Sequence, residues 1–190
     1  YGGYTNGTGE TTGNTVNLGN GTDALKSGTT MGILHGGNST AAGGNEGNTL
    51  NVKANAQAKN IKNFQNLNFN LNGSIMPVGS TVLKLTDGVK TKDLDWDKLK
   101  VDPMAFTGAG TKSYEAYEQK ILENQSDLNF TRNGVDTYVK YGIREDTKGD
   151  FEYVIDTDTH NALAKRVSIF GYQFQNNQTA TYKATDNSHP

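Results

Sequence analysis

The chain has 190 residues, of which 20% are charged, and its formal net charge at pH 7 is −2. This balance gives no electrostatic reason to expect nucleic acid or an acidic lipid surface as a partner. With no cysteine in the chain, a disulfide framework, a thiolate nucleophile and a cysteine-ligated metal site are excluded. No apolar run approaches the roughly 18 residues of a membrane helix, so we expect no membrane insertion by these residues.

Two related segments lie 34 residues apart: residues 1–20 read YGGYTNGTGETTGNTVNLGN and residues 35–54 read HGGNSTAAGGNEGNTLNVKA. Aligned without a gap, they are identical at Gly2/Gly36, Gly3/Gly37, Gly9/Gly43, Gly13/Gly47, Asn14/Asn48, Thr15/Thr49 and Asn17/Asn51. Repeats of this length are typical of stacked solenoids, because one unit cannot bury its apolar face alone. A solenoid also accounts for an apolar content of only 33%, since its core is narrow.

Short strands are predicted at the end of each copy. Residues 14–18 (NTVNL) and 48–52 (NTLNV) each place two apolar side chains two positions apart, and therefore on one face. Residues 29–35 form a further strand pattern that Gly32 interrupts. Residues 78–85 (VGSTVLKL) are predicted to be the last strand of the solenoid.

The clearest alternation lies in residues 67–72 (LNFNLN). It predicts that Leu67, Phe69 and Leu71 point inward and that the asparagines between them point outward. Asparagines at outward positions of the predicted strands are Asn14, Asn17, Asn48, Asn51, Asn68, Asn70 and Asn72. We interpret them mainly as a structural device in which stacked amides hydrogen-bond to one another. A flat array that contacts sugars or ice is the alternative.

Composition changes near residue 80, where charged residues become frequent. The shift predicts a change of architecture there, with a first region before residue 80 and a second region after it. In the second region, apolar residues spaced i, i+3, i+7 and i+8 predict a short amphipathic helix over residues 112–124. Residues 159–165 are predicted to form two helical turns with Asp158 as the N-cap.

The remaining elements of the second region are predicted strands. Residues 135–143 and 151–155 alternate between apolar and polar side chains, and residues 144–150 between them have the composition of a hairpin loop. Residues 166–174 and 179–184 are predicted to close the chain as strands. The fold class expected is all-β, with a β-rich C-terminal part that has one or two short helices.

Residues 1–18, residues 36–52 and the run from residue 61 to residue 88 resemble the passengers of Gram-negative autotransporters. The strongest likeness is the I-x-N-F-x-x-L-x-F-x-L phrase at Ile61, Asn63, Phe64, Leu67, Phe69 and Leu71. The resemblance implies a right-handed parallel β-helix over residues 1–88, closed by a stem or autochaperone-like cap over residues 89–190.

The same resemblance implies a non-enzymatic role without a cofactor. The chain would be part of an adhesin, a structural rod and folding nucleus displayed outside the cell and tethered to the bacterial outer membrane. Its partners would be a host cell-surface protein or glycan and its own translocator barrel, which we expect outside residues 1–190. The absence of cysteine agrees with a chain that crosses two membranes unfolded.

Two clusters have residue types that bind metals. The spacing of Asp93, Asp95 and Asp97 matches the first three ligand positions of a calcium-binding loop. However, Lys98 occupies the position that needs glycine, and Met104 the position that needs glutamate. Solvated turn carboxylates are therefore favoured there.

The second cluster is Asp156, Asp158 and His160. These residues could bind a metal or serve as acid and base, and the favoured interpretation is the start of an N-capped helix.

An enzymatic alternative is a polysaccharide-degrading or carbohydrate-binding β-helix protein. Such enzymes use clustered acids on one outer face, and the first 80 residues contain only Glu10, Asp23 and Glu46. Glu10 aligns with Gly44 rather than with Glu46, so no carboxylate pair is predicted.

The remaining histidines and the aromatic residues indicate a catalytic or ligand-binding site no more strongly than the two clusters above. His35 is expected in a loop, and His189 lies near the end of the sequence. The tyrosines of the second region are expected to pack rather than to stack on sugars; these are Tyr138, Tyr141, Tyr153 and Tyr172.

Overall fold

The computed structural model describes residues 2–5, 8–71, 75–77, 79–91, 94–95, 98–102, 117–131, 139–144 and 151–167. Within these ranges the chain forms fifteen strands and no α-helix. The strands are β1 Thr15–Leu18, β2 Thr30–Met31, β3 Leu34–His35, β4 Thr49–Val52, β5 Ala56–Ala58, β6 Ile61–Lys62, β7 Asn66–Asn70, β8 Thr81–Leu85, β9 Leu94–Asp95, β10 Leu99–Asp102, β11 Tyr117–Asn124, β12 Phe130–Thr131, β13 Val139–Arg144, β14 Phe151–Thr157 and β15 Asn161–Val167. The all-β class is therefore confirmed for the described residues.

Parallel pairs join strands that are three elements apart along the chain. One sheet has the order β1-β4-β7-β10, and a second contains the parallel series β2-β5-β8-β11. Strand β3 pairs with β6, and β9 pairs with β12, again in parallel. Since β10 and β11 pair with β7 and β8, the expectation that the strand ending at Leu85 is the last of this kind is wrong. The division into two regions at residue 88 stays a prediction.

The register between β1 and β4 coincides with the alignment of the two repeat copies. Thr15 pairs with Thr49 and Asn17 pairs with Asn51, the same partners that the sequence alignment without a gap gives. A one-residue slip would move each apolar side chain to the opposite face. The repeat therefore encodes register as well as strand position.

The core consists of apolar stacks that run across the paired strands. Leu50, Leu67 and Leu99 are register partners in β4, β7 and β10, and they are almost completely buried. Val52 pairs with Phe69 in the same way. The prediction that Leu67, Phe69 and Leu71 point inward is confirmed, since all three side chains are buried.

The C-terminal strands change the direction of pairing. Strands β13 and β14 form an antiparallel pair, β14 pairs with β15, and β15 pairs antiparallel with β11. The predicted hairpin of residues 135–155 is thus confirmed where it is described. Of its predicted loop, residues 144–150, Arg144 is instead the last residue of β13, and residues 145–150 lie outside the described residues. So do residues 168–190, which include most of the strands predicted at the C-terminus.

The helix predicted over residues 112–124 is wrong for Tyr117–Asn124, which form strand β11. The register of β11 against β15 shifts between Lys120 and Leu122, which is the signature of a β-bulge. As a result Ile121 and Leu122 are both buried although they are adjacent in sequence. The bulge breaks the two-residue period, and the remaining apolar spacing imitates a helix.

The two helical turns predicted over residues 159–165 are also wrong, because Asn161–Val167 form strand β15. Asp158 N donates to the carbonyl oxygen of Asn161 at 2.9 Å, which closes a tight turn between β14 and β15. Asp158 Oδ1 accepts hydrogen bonds from the backbone nitrogens of His160 and Asn161 at 2.8 and 2.7 Å. The predicted cap residue therefore stabilises a hairpin turn, a role that aspartate performs equally well.

Candidate functional site

A column of amides joins the residues that precede β1, β4 and β7, and its central member, Asn48, is buried. Asn48 Oδ1 accepts hydrogen bonds from the backbone nitrogen and from Nδ2 of Asn14, at 2.8 and 3.0 Å. The backbone nitrogen of Asn48 donates in turn to Gln65 Oε1 at 3.0 Å. The side-chain oxygens of Asn48 and Gln65 thus accept from the backbone N–H groups of Asn14 and Asn48, which precede the neighbouring strands. The prediction that Asn48 faces outward is wrong, since its side chain is fully buried.

A second column lies on the outer face of the same sheet, where Asn17 is exposed and Asn51 and Asn68 are half-buried. Asn51 Nδ2 donates to Asn17 Oδ1 at 2.9 Å, and Asn68 Nδ2 donates to Asn51 Oδ1 at 2.8 Å. The next register partner is Lys100, which ends the amide series. The structural interpretation of the asparagines is confirmed for these three residues. Asn70 pairs with Asp102 in register, and Asn72 lies outside the described residues.

Replacing Asn48 by alanine is expected to lower the free energy of unfolding by about 2 kcal/mol. The change leaves the half-buried backbone N–H of Asn14 without its side-chain acceptor, and a buried donor without a partner costs about 1–3 kcal/mol. The matched control is Asn51→Ala in the outer column, where the amide bonds to other side chains rather than to a backbone N–H, and for which we expect about 1 kcal/mol or less. Urea denaturation followed by circular dichroism measures both. Equal losses in the two variants would contradict the distinction between the columns.

A polar groove of 920 Å³ lies beside these columns, and Glu10, Glu46 and Lys98 all line it. The two glutamates come together because the loops that contain them run side by side: Thr11 N donates to the carbonyl oxygen of Gly44 at 2.6 Å, and Gly13 N donates to that of Glu46 at 3.0 Å. The sequence alignment did not predict this, since it placed Glu10 and Glu46 two positions out of register. Backbone pairing brings loops together regardless of which position in each loop is acidic.

The groove also contains a residue in an unusual conformation. Asn63 has a φ of 59°, and it is the only non-glycine with positive φ among the described residues. Asparagine tolerates this region better than most residues. Asn63 Nδ2 donates to the carbonyl oxygen of Gly37 at 2.7 Å, so the side chain ties two loops together. Carboxylates, an ammonium group and amides in one groove can exchange hydrogen bonds with a polyhydroxylated ligand.

The residues of the DTDTH sequence do not assemble a metal site in the described part of the chain. Burial raises the pKa of Asp158, but the hydrogen bonds that it accepts from His160 and Asn161 outweigh this effect and lower the pKa below its ordinary value. His160 Nδ1 lies 2.9 Å from the carbonyl oxygen of Ser126. The side chain of Asp156 is not described. No group of three or more histidine, aspartate or glutamate side chains within the described ranges could hold a metal ion.

The other predicted positions are dispersed. The expectation that His35 lies in a loop is wrong, because this residue is half-buried in β3 beside its register partner Lys62. Burial and the positive charge of Lys62 lower the pKa of His35, which favours the neutral imidazole. Asp95 lies in β9 opposite Thr131, and Asp93, Asp97 and Met104 lie outside the described residues, as does His189. Asp23 lies in an exposed turn, where Asn20 Nδ2 donates to its Oδ2 at 2.7 Å.

Aromatic side chains do not form an exposed cluster in the part of the chain whose side chains are described. Phe64, Phe69 and Phe130 are buried, and Tyr4 is exposed. The side chains of Tyr138, Tyr141, Tyr153 and Tyr172 are not described.

Glu123 lies where the parallel strands meet the antiparallel ones. Its Oε2 accepts hydrogen bonds from Lys120 Nζ at 3.0 Å and from Thr81 Oγ1 at 3.1 Å, and its Oε1 lies 3.6 Å from Lys84 Nζ. The hydrogen bond from Lys120 lowers the pKa of Glu123 below its ordinary value and, with the smaller contributions of Thr81 and Lys84, outweighs partial burial, which raises it. This carboxylate is a structural ion-pair centre between β8 and β11.

Stability should depend on pH through Glu123. Because its pKa is lowered in the folded state, its ion pairs stabilise the fold fully above about pH 4.3, the ordinary pKa of glutamate. The contribution is lost as the pH falls through the lowered pKa. We expect Glu123→Gln to lower the unfolding free energy at pH 7 by about 1 kcal/mol, and we expect this difference to shrink on acidification.

Urea titrations between pH 7 and pH 3 measure this difference. The control is Glu118→Gln, since the Glu118 side chain is 59% exposed and lies 3.9 Å from Lys165 Nζ. That variant should stay within about 0.5 kcal/mol of the parent at each pH. A difference between Glu123→Gln and the parent that did not change with pH would refute the ion-pair explanation.

Comparisons of the chain with protein-family models, with curated proteins and with solved structures give no match. No helix in the described ranges is long and apolar enough to cross a membrane.

Proposed function

We propose that the chain is the C-terminal passenger region of a Gram-negative autotransporter adhesin. In this proposal residues 1–88 are coils of a right-handed parallel β-helix, and residues 89–190 are the stem and autochaperone-like cap. The region acts as a structural rod and folding nucleus at the cell surface, tethered to the outer membrane through a translocator barrel outside residues 1–190. It performs no catalysis. Its adhesive partner is a host cell-surface protein or glycan.

The observation on which the proposal rests most is the pairing of strands in steps of three. In a β-helix with three strands per coil, each strand pairs in parallel with the strand that follows three elements later. Strands β1, β2 and β3 pair in this way with β4, β5 and β6. The first two of these series continue through β10 and β11. Apolar stacks along the buried face of the first sheet and the outer column of Asn17, Asn51 and Asn68 along its other face fit the same architecture.

The cap in this proposal blocks the C-terminal edge of the second parallel series. Strand β15 pairs antiparallel with β11, so the edge of β11 that faces away from β8 is already occupied. An open parallel edge is prone to pairing with another chain. A C-terminal segment that closes its own edge can fold first and then serve as the template for β8 and the strands before it. Sequential folding outside the cell would then oppose back-sliding through the membrane.

The test is surface display in a Gram-negative host. Residues 1–190 are placed between a secretion signal and a translocator barrel, and exposure on intact cells is measured with an antibody and by resistance to protease. We expect efficient display of a protease-resistant chain. Ala164→Asp, which buries a carboxylate in β15, should reduce resistant display at least tenfold, whereas His160→Ala should leave it unchanged.

Normal display of the Ala164→Asp variant would contradict a folding role for the C-terminal strands. A displayed parent chain that remained protease-sensitive would contradict the whole proposal.

A second candidate function is carbohydrate binding or polysaccharide degradation. The observation that favours it is the polar groove in which Glu10, Glu46 and Lys98 lie together. Glu10→Gln and Glu46→Gln, each combined with a glycan-binding or turnover assay, test it directly. Loss of binding or turnover in these variants alone, with unchanged thermal unfolding, would support the candidate. Absence of both activities in the parent would rule it out.

A further inference from the structure

A second groove, of 650 Å³, lies between the loop of residues 24–29 and the segment of residues 75–77, beside β5. Ligand-binding clefts are typically about 300–1,000 Å³ and mostly apolar. The apolar side chains lining this groove are Ala24, Leu25, Met31, Ala56, Ile75 and Pro77. The groove is therefore of ligand size and suits an apolar body.

Leu25 is the lining residue that exposes a large apolar side chain. It is 37% exposed, although leucine is commonly buried. Met31, Ala56 and Ile75 pack against the core of the protein, so they form a floor that does not depend on the loop. An apolar chain placed between Leu25 and this floor would remove apolar surface from water on both sides.

The charged residues that line the groove are both lysines. Lys26 and Lys84 line it, and no aspartate or glutamate is among the lining residues. Asp23 precedes the lining loop in sequence, and its Oδ2 accepts a hydrogen bond from Asn20 Nδ2 at 2.7 Å. Glu123 lies 3.6 Å from Lys84 Nζ but also accepts a hydrogen bond from Lys120 at 3.0 Å. One carboxylate therefore faces two lysines, and no described carboxylate lies within ion-pair distance of Lys26. The excess positive charge complements an anionic head group.

We propose that this groove binds a fatty acid, with the acyl chain between Leu25 and the floor of the groove and the carboxylate beside Lys26 and Lys84. The two features that select this class are an apolar lining of ligand size and lysines without enough carboxylates to neutralise them. The inference is independent of the proposed adhesin role, because it concerns a site on the isolated chain.

The experiment is isothermal titration calorimetry of residues 1–190 with decanoate at pH 8. Burying about seven methylene groups predicts 1:1 binding with a dissociation constant on the order of 0.1 mM. Hexanoate, which is four methylene groups shorter, should bind about a hundredfold more weakly. Decyltrimethylammonium has the same chain length and the opposite charge, and should bind at least tenfold more weakly.

Variants assign the binding to the groove. Leu25→Ser should weaken decanoate binding about tenfold, and Lys26→Gln should weaken it about threefold. The matched controls are Val89→Ser, at an apolar residue that is 51% exposed and outside the groove, and Lys59→Gln, at an exposed lysine outside it. Both controls should bind like the parent.

Two results would overturn the proposal. One is the absence of decanoate binding. The other is binding that decyltrimethylammonium matches, or that Leu25→Ser and Lys26→Gln leave unchanged.

Discussion

Replacement of Phe69 by alanine is expected to lower the free energy of unfolding by about 3–5 kcal/mol. Phe69 is fully buried in β7, between its register partners Val52 in β4 and Val101 in β10. Removing the ring leaves a cavity among side chains that come from three different strands. Because small domains are stable by only about 5–15 kcal/mol, this one change should remove a large part of the total.

Urea denaturation followed by far-UV circular dichroism measures the effect. The control is Val89→Ala, since Val89 is 51% exposed and its truncation should change stability by less than about 0.5 kcal/mol. Phe69→Asp and Leu67→Asp are expected to abolish the cooperative transition, because each buries a carboxylate without a partner. An unchanged midpoint for Phe69→Ala would show that the apolar stack does not form the core.

Replacement of Gly36 by alanine is expected to cost about 3 kcal/mol or more, although the change adds only one methyl group. A Cβ at this position would overlap the carbonyl oxygen of Asn63, and it would lie 2.6 Å from Asn48 Cβ and 2.8 Å from Phe64 Cδ1. Overpacking of this kind usually costs about 1–3 kcal/mol, and more where the neighbours cannot move. Here one neighbour is backbone and another is a buried ring.

Gly32→Ala is the matched control for this prediction. A Cβ at Gly32 would meet no atom within 4 Å, and its φ is not in the left-handed region. Alanine should therefore be neutral or stabilising by about 0.4–1 kcal/mol, through the entropy of the unfolded chain. Thermal unfolding of the two variants gives the comparison. Similar melting temperatures for both would contradict the close approach at Gly36.

Strands with regular alternation could be predicted from the sequence, and strands with a local irregularity could not. The segments around Asn14 and Asn48 were found because the repeat and the two-residue period agree. Strand β11 was predicted as a helix because its bulge places Ile121 and Leu122 on the same side of the sheet. Strand β15 (NALAKRV) has few β-branched residues, and it is a strand because β11 and β14 flank it with open edges.

The candidate sites, like the irregular strands, could not be predicted from local sequence patterns. The sequence suggested Asp158 and His160 for their chemistry, and the structure uses Asp158 to close a turn. It did not suggest that Glu10 and Glu46 line one groove, nor that Leu25 and Lys26 line another beside β5. Residues far apart in sequence become neighbours only through backbone pairing, and no local pattern encodes that proximity.

By itself the sequence determined the all-β class, the register between β1 and β4, and the inward direction of Leu67, Phe69 and Leu71. These properties follow from side-chain periodicity and from a sequence repeat. Periodicity can be read within one segment, and a repeat can be read by comparing the chain with itself. Tertiary structure alone decided the strand state of β11 and β15, the burial of Asn48 and the grouping of Glu10 with Glu46. Each of these depends on hydrogen bonds or packing between distant segments, and such interactions override weak local preferences.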